Sequence, residues 1–308
     1  MKLPNPRRMY ERARWLRSDG KPNFKTAIRG REPEIRSLLV TEIPVVSPQT
    51  PLIKCAEEMH RSRFRAAIVV KASELSGIIT FHDIADYLGG GGRHKIVVER
   101  YGSNIYKALA VPVQELMSKN VVYASISDTL SKVLELMVTY GYGLIPVLDS
   151  SKQLVGAVTE GSIVKLYSGR ISMKPAGSYM TKNVITADEE SPLTDVLKLM
   201  VSTGVRRIPL TTSDRKIRGV VTWRSILDFV GSHQIFAASE SGVVSEVLSM
   251  KAVSLADRDV IVVEPSTPLE DLVRKMLEKN LDYGLVAEGG VLQGILTERD
   301  IMYAVLGS

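Results

Sequence analysis

Two short motifs in the chain have spacing suited to chemistry. Thr80-Phe81-His82-Asp83 and Thr297-Glu298-Arg299-Asp300 both read Thr-x-x-Asp, and each follows a glycine and two aliphatic residues. Thr159 and Thr222 stand in the same setting, with Ser162 and Ser225 in place of Asp. The Thr ends a strand pattern, and the residue three later falls in the first turn of a helix. A helix start carries unpaired N–H groups and the positive end of the helix dipole, which suits a phosphate. A carboxylate there can accept both hydroxyls of a ribose, and the Thr hydroxyl can reach ribose or phosphate oxygens. The same spacing also makes a capping box, with Thr as N-cap and an acid at N3. That simpler role accounts for all four Thr residues. It accounts less well for Asp in two copies and Ser in the other two.

The elements that carry these motifs form an internal repeat. Leu52, Met59, Gly77 and Thr80 are matched by Leu130, Met137, Gly156 and Thr159; by Leu193, Met200, Gly219 and Thr222; and by Leu269, Met276, Gly294 and Thr297. Leu to Met is 7 residues in every copy, Gly to Thr is 3, and Leu to Thr is 28 or 29. A register held four times identifies a repeat architecture. Each copy opens on a short β-branched run, at Ile43, Val121, Val184 and Val260, that predicts a buried strand. Helix-start residues follow, such as Thr50-Pro51 and Ser191-Pro192. Leu193, Val196, Leu197 and Met200 then fall at i, i+3, i+4 and i+7, one face of a helix. Two strands around a polar turn, as in RIPL-TTSDRK-IRGVVT, predict a hairpin, and a last helix follows the Thr. The predicted unit is strand, helix, strand, strand, helix, with the first two strands parallel and the third antiparallel. A unit of about 55 residues buries too little surface to be secure alone, so units must pair.

A β-α-β-β-α unit ending in Gly-h-h-Thr-x-x-Asp resembles the CBS domain, the repeat named after cystathionine β-synthase. The full signature stands at Gly77–Asp83 and Gly294–Asp300, and the resemblance covers about residues 34–306. It implies an α/β fold of four repeats paired as two Bateman modules, with neighbours 1+2 and 3+4 together in a pseudo-symmetric disc. Such modules bind AMP, ADP or ATP as a regulatory ligand in clefts between repeats. Four copies in one chain look like the γ regulatory subunit of AMP-activated protein kinase and like stand-alone archaeal CBS proteins. The resemblance assigns the ribose to Asp83 and Asp300, with Thr80, Thr159, Thr222 and Thr297 beside it. It places the adenine near Ile43 and Val260. Phosphates need cations. Counted from the repeat's leucine, Arg65 and Arg206 are equivalent, Arg207 is adjacent, and Arg206-Arg207-Ile208-Pro209 matches the His-Arg-h-Pro motif in type. Arg224 and Arg299, two residues after the Thr, are further candidates.

The repeats divide the chain into an arm at 1–33, repeat 1 at 34–88, a Gly-rich link at 89–112, repeat 2 at 113–167, repeat 3 at 176–230 and repeat 4 at 243–308. Gly89–Gly92 reads as a flexible linker, because no Gly-Lys-Ser/Thr follows to make a phosphate loop. The charge is uneven. Residues 1–36 hold 11 Lys/Arg against 4 Asp/Glu, while the rest holds 29 against 30. An arm with Arg7, Arg8, Arg12, Arg14 and Arg17 around Tyr10 and Trp15 could contact nucleic acid, or pack its aromatics on the repeats or a partner. The alternative function is therefore a nucleic-acid-binding protein modulated by the repeats. No apolar run approaches a membrane span and no signal-peptide pattern opens the sequence, so a cytoplasmic location is expected, with no membrane partner. The single cysteine, Cys55, excludes an internal disulfide framework and reads as a small core hydrophobe. The four histidines are scattered, and no metal-ligand or nucleophile-base spacing stands out. The expectation is a non-enzymatic sensor without catalytic cofactor or metal. It would act on a protein partner as a monomer or homodimer.

Overall fold

The structure, a computed structural model, describes residues 32–171 and 173–306. The expected basic arm lies outside the described residues except for Glu32 and Pro33. Four three-stranded sheets are present among the described residues, one per repeat. Repeat 1 runs β1 (Val45–Val46), α1 (Leu52–Ser62), β2 (Ala66–Lys71), β3 (Glu74–Thr80), α2 (Phe81–Ala85). Repeat 2 runs β4 (Ala124–Ser125), α3 (Leu130–Tyr140), β5 (Leu144–Leu148), β6 (Leu154–Thr159), α4 (Glu160–Tyr167). Repeat 3 runs β7 (Ala187–Asp188), α5 (Leu193–Thr203), β8 (Arg207–Thr211), β9 (Ile217–Thr222), α6 (Trp223–Gly231). Repeat 4 runs β10 (Val262–Val263), α7 (Leu269–Glu278), β11 (Tyr283–Glu288), β12 (Val291–Thr297), α8 (Glu298–Leu306). The first pair in each sheet is parallel and the second antiparallel. The first strand is only two residues long in each case and starts two or three residues later than its β-branched run. Only these residues form the ladder; the ones before them are irregular and make at most single bonds to the second strand, such as Ile68 N–H to the Pro44 carbonyl at 2.8 Å.

The chain forms two compact units. Among the described residues, one holds repeats 1 and 3 (residues 42–121 and 185–260), the other repeats 2 and 4 with the segment ahead of repeat 1 (32–41, 122–184 and 261–306). Each has its own apolar core. In the first, α1 packs on α6, and Gly231 is needed there: a Cβ would lie 2.6 Å from the Ala56 carbonyl oxygen. In the second, α4 packs on α8. The helices thus pair alternate repeats. Neighbours are linked differently, by exchange of the segment that leads into each repeat. Val40, ahead of repeat 1, bridges to Ala157 of β6. Ser118, ahead of repeat 2, bridges to Ile78 of β3. Thr181 bridges to Ile295 of β12, and Asp257 to Val220 of β9.

This exchange explains the glycine of the repeat. A Cβ on Gly77 would lie 2.5 Å from Met117 Sδ, and one on Gly294 would lie 2.4 Å from Met180 Sδ. The glycine is the floor on which the borrowed segment rests. The tetraglycine run also corrects the sequence reading. It is not a free linker: Gly89 and Gly90 are buried in a wide helical turn, Asp86–Gly90, against α5. Short helices His94–Tyr101 and Ile105–Leu109 follow.

Candidate functional site

The strand-to-helix junction after each Thr is built the same way in all four repeats. The Thr is extended and its neighbour begins the helix. The neighbour's N–H donates to the carbonyl that opens the second strand: Phe81 to Arg65 (2.8 Å), Glu160 to Gly143 (3.1 Å), Trp223 to Arg206 (2.8 Å), Glu298 to Asp282 (3.2 Å). One backbone hydrogen bond thus sets Arg65 and Arg206 beside the helix start in repeats 1 and 3. Repeats 2 and 4 have Gly143 and Asp282 there. Arg207 lies directly opposite Thr222 in the ladder and is buried.

The capping box is real. Thr80 N–H and Oγ1–H both donate to Asp83 Oδ2, at 2.9 and 2.7 Å. Thr297 does the same to Asp300 Oδ2, at 2.8 and 2.7 Å. In repeats 2 and 3 the serine hydroxyl oxygen accepts the N–H of Thr159 (3.1 Å) and Thr222 (3.0 Å). The cap occupies one carboxylate oxygen, so any ribose must be read by the other. The two Asp residues differ there. Asp300 Oδ1 faces the Thr181 hydroxyl of the exchanged segment at 3.4 Å. Asp83 Oδ1 accepts from Arg93 Nη1 at 2.8 Å. The same nitrogen donates to the Leu116 carbonyl at 2.7 Å, and Arg93 Nε lies 3.6 Å from Asp86 Oδ2.

Arg299 does not face outward as an unengaged cation. Its Nε donates to Glu160 and its Nη2 to the Gly141 carbonyl at 3.1 Å. Burial opposes its charge, but Glu160, with Tyr303 and Asp300, outweighs that and holds the guanidinium pKa above its ordinary value. Arg224 lies over the Trp223 ring, 5.4 Å from its centre. Ile43 is buried and Val260 is half-buried, each one residue before the carbonyl that binds the second strand.

Sequence reasoning missed four residues that touch these junctions. Arg93 and Glu160 lie outside the repeated skeleton. Thr181 was legible in principle: Met117-Ser118-Lys119-Asn120-Val121 and Met180-Thr181-Lys182-Asn183-Val184 are near-copies. Asp257 sits in what reads as an insertion. Its Oδ2 accepts from Thr222 Oγ1 at 3.1 Å, so repeat 3, which lacks the helix carboxylate, receives one from the exchanged segment. Among the described residues no group of three His, Cys, Asp or Glu could hold a metal ion.

Repeats of this topology, closed by a Gly-h-h-Thr helix start and paired through exchanged segments, define a recognised class of tandem small domains. The chain belongs to the CBS domain family, whose profile matches residues 35–90, 113–169, 176–232 and 251–307. It is 28% identical over 265 residues to the uncharacterized protein MJ1225 of Methanocaldococcus jannaschii, covering 85% of this chain and 94% of that one. It is 27% identical over 261 residues to an uncharacterized 33.4 kDa protein in the ribosomal RNA operon of Thermofilum pendens, covering 84% and 87%. The crystal structure of MJ1225, described as a proposed archaeal homologue of g-AMPK, superposes with a TM-score of 0.81 at 27% identity, over 87% of this chain and 98% of that one. An uncharacterized conserved protein from Pyrococcus horikoshii shares the fold, with a TM-score of 0.54 at 19% identity over 88% and 99%.

Proposed function

We propose that the protein is a non-enzymatic regulatory sensor in the cytoplasm that binds AMP, ADP or ATP and passes occupancy to a protein partner. The observation that carries this reading is the Thr297–Asp300 junction. It combines a helix start with a carboxylate whose second oxygen lies beyond the cap. Asp300 would accept the ribose hydroxyls, with Thr297 beside it and the base against the apolar run at Val260. Arg65, Arg206 and Arg207 are the cations proposed for phosphate, from their place at the start of the second strand beside the helix N-terminus. The description of MJ1225 as a proposed g-AMPK homologue supports a regulatory role. Ligand can bias a partner only through different affinity for two states of the protein.

The test is calorimetric titration of the full chain with AMP, ADP and ATP, beside thermal unfolding at matched ligand concentrations. A ligand bound only by the folded protein raises the melting temperature by mass action. Binding by the wild type that Asp300→Ala weakens at least tenfold is expected. No binding of any of the three by the folded, ligand-free wild type would overturn the reading.

A further inference from the structure

The exchanged segments meet the four junctions in one register. Val40, Ser118, Thr181 and Asp257 each trade two backbone hydrogen bonds with the residue two before the capping threonine: Ala157, Ile78, Ile295 and Val220. The four positions are therefore equivalent, and their side chains are matched to the helix. Where the helix offers Asp83 or Asp300, the segment offers a hydroxyl, Ser118 or Thr181. In repeat 3 the two are exchanged: the helix offers the hydroxyl of Ser225 and the segment the carboxylate of Asp257. Repeat 2 has Ser162 and Val40, and so no carboxylate in either position. The carboxylate changes carrier but keeps its partner. The capping threonine's hydroxyl donates to Asp83 and Asp300 in repeats 1 and 4, and to Asp257 in repeat 3. The seat of the segment differs to suit. Ala256 stands where Met117 and Met180 stand, and the exchanged backbone comes down onto Gly219. A Cβ there would lie 2.9 Å from the Ala256 Cβ and 3.0 Å from the Asp257 carbonyl oxygen.

We infer that the repeat 3 junction is a further nucleotide site, in which Asp257 of the exchanged segment accepts the ribose hydroxyls that the helix acid accepts in repeats 1 and 4. This rests on the nucleotide reading of the Thr-x-x-Asp junctions. An ionised carboxylate accepts at about four lone-pair positions, so the Thr222 hydroxyl and a ribose can share it. The cations of this junction fit the rest of the ligand. Its second strand opens on Arg206 and Arg207, where repeat 2 has Gly143 and repeat 4 has Asp282. Arg207 lies opposite Thr222 in the ladder, which puts the two side chains on one face of the sheet, and both are buried. Guanidinium groups at that place suit a phosphate. Acid, threonine and arginines all belong to one compact unit.

The experiment is calorimetric titration of the full chain with AMP, with each variant checked for cooperative unfolding. Asp83→Ala with Asp300→Ala removes both helix carboxylates. Residual AMP binding is expected in this double variant. Adding Asp257→Asn, which keeps an acceptor for Thr222 and removes the charge, should weaken it by about tenfold or more, the effect of one hydrogen bond to a charged group. A second variant moves the acid. Asp257→Thr with Ser225→Asp, in the same background, gives repeat 3 the arrangement of repeat 4 and should restore AMP binding lost in Asp257→Asn. Three results overturn the assignment and leave the sensor reading intact, given a wild type that binds AMP: no binding by the Asp83 and Asp300 double variant, binding there that Asp257→Asn does not weaken, or a loss that the moved acid does not restore. If the folded, ligand-free wild type binds none of AMP, ADP and ATP, both readings fall together.

Discussion

Removing the Glu160 carboxylate should be among the most damaging single changes outside the apolar cores. Glu160 begins α4 and its side chain is 3% exposed; Arg299, on α8, is 14% exposed. Glu160→Ala leaves the Arg299 guanidinium buried with its bond to the Gly141 carbonyl, and Arg299 Nη1 already lacks a hydrogen-bond partner among the described residues. Breaking a buried ion pair at one end costs about 3–5 kcal/mol. The residual exposure of Arg299 lets water soften the penalty, so about 3 kcal/mol is expected. In a unit of this size that lowers the melting temperature by roughly 6–12 °C. Replacing both groups with apolar residues, Glu160→Leu with Arg299→Met, should recover most of the loss, because the desolvation penalty disappears with the charges. The assay is urea and thermal unfolding of the wild type, both single variants and the double variant, read as a mutant cycle. A loss below about 1 kcal/mol in Glu160→Ala, at an unchanged denaturant slope, would refute the argument that this pair is desolvated.

Gly90→Ala should cost about 1–3 kcal/mol or more by overpacking. Its Cβ would lie 2.6 Å from Val201 and 2.7 Å from the Leu197 carbonyl oxygen, while Gly92→Ala, with nothing within 4 Å, should stay within about 0.5 kcal/mol by urea unfolding. Cys55 is fully buried and burial pushes its thiol pKa up to about 12, so a thiol reagent should label it only as fast as the protein unfolds. Burial pushes the Glu57 pKa up, but hydrogen bonds from Lys54 and His233 outweigh that and leave it lowered. A carboxylate depressed by folding stabilises above its unfolded value and loses that contribution as pH falls through the folded one. The fall in melting temperature below about pH 4.3 should therefore be shallower in Glu57→Gln than in the wild type.

What the sequence disclosed is what a repeat must conserve to fold at all. Leu52, Met59 and their counterparts point into the cores, and the Gly-to-Thr step marks each strand-to-helix junction because both residues answer local demands. The glycine admits a borrowed segment and the threonine caps a helix. Partner choice is less visible, since α1 meets α6 through complementary faces whose match no single repeat records. Gly89–Gly92 misled for a related reason. Glycine is equally the residue of loose chain and of close approach, and only the presence of Val201, Leu197 and Asp86 separates the two. Glu160 and Asp257 were hidden because their partners Arg299 and Thr222 are distant in sequence, and Arg93 because it follows a glycine run that the other copies lack. The expected cation Arg299 was legible as a residue type but not as half of a pair, because Glu160 lies 139 positions away.

The path of the chain through the two units has a consequence for biosynthesis. It changes unit at residues 41/42, 121/122, 184/185 and 260/261. During synthesis α1 therefore waits for α6, and α4 for α8, while intervening repeats with other partners leave the ribosome. Domains that are contiguous can fold as they emerge; here the unit with repeats 1 and 3 lacks its last segment until residue 260 has appeared, and the other closes only with α8. Nascent chains stalled before α6 should expose the apolar face of α1 to chaperones, and neither unit can be excised for expression by a single pair of cuts.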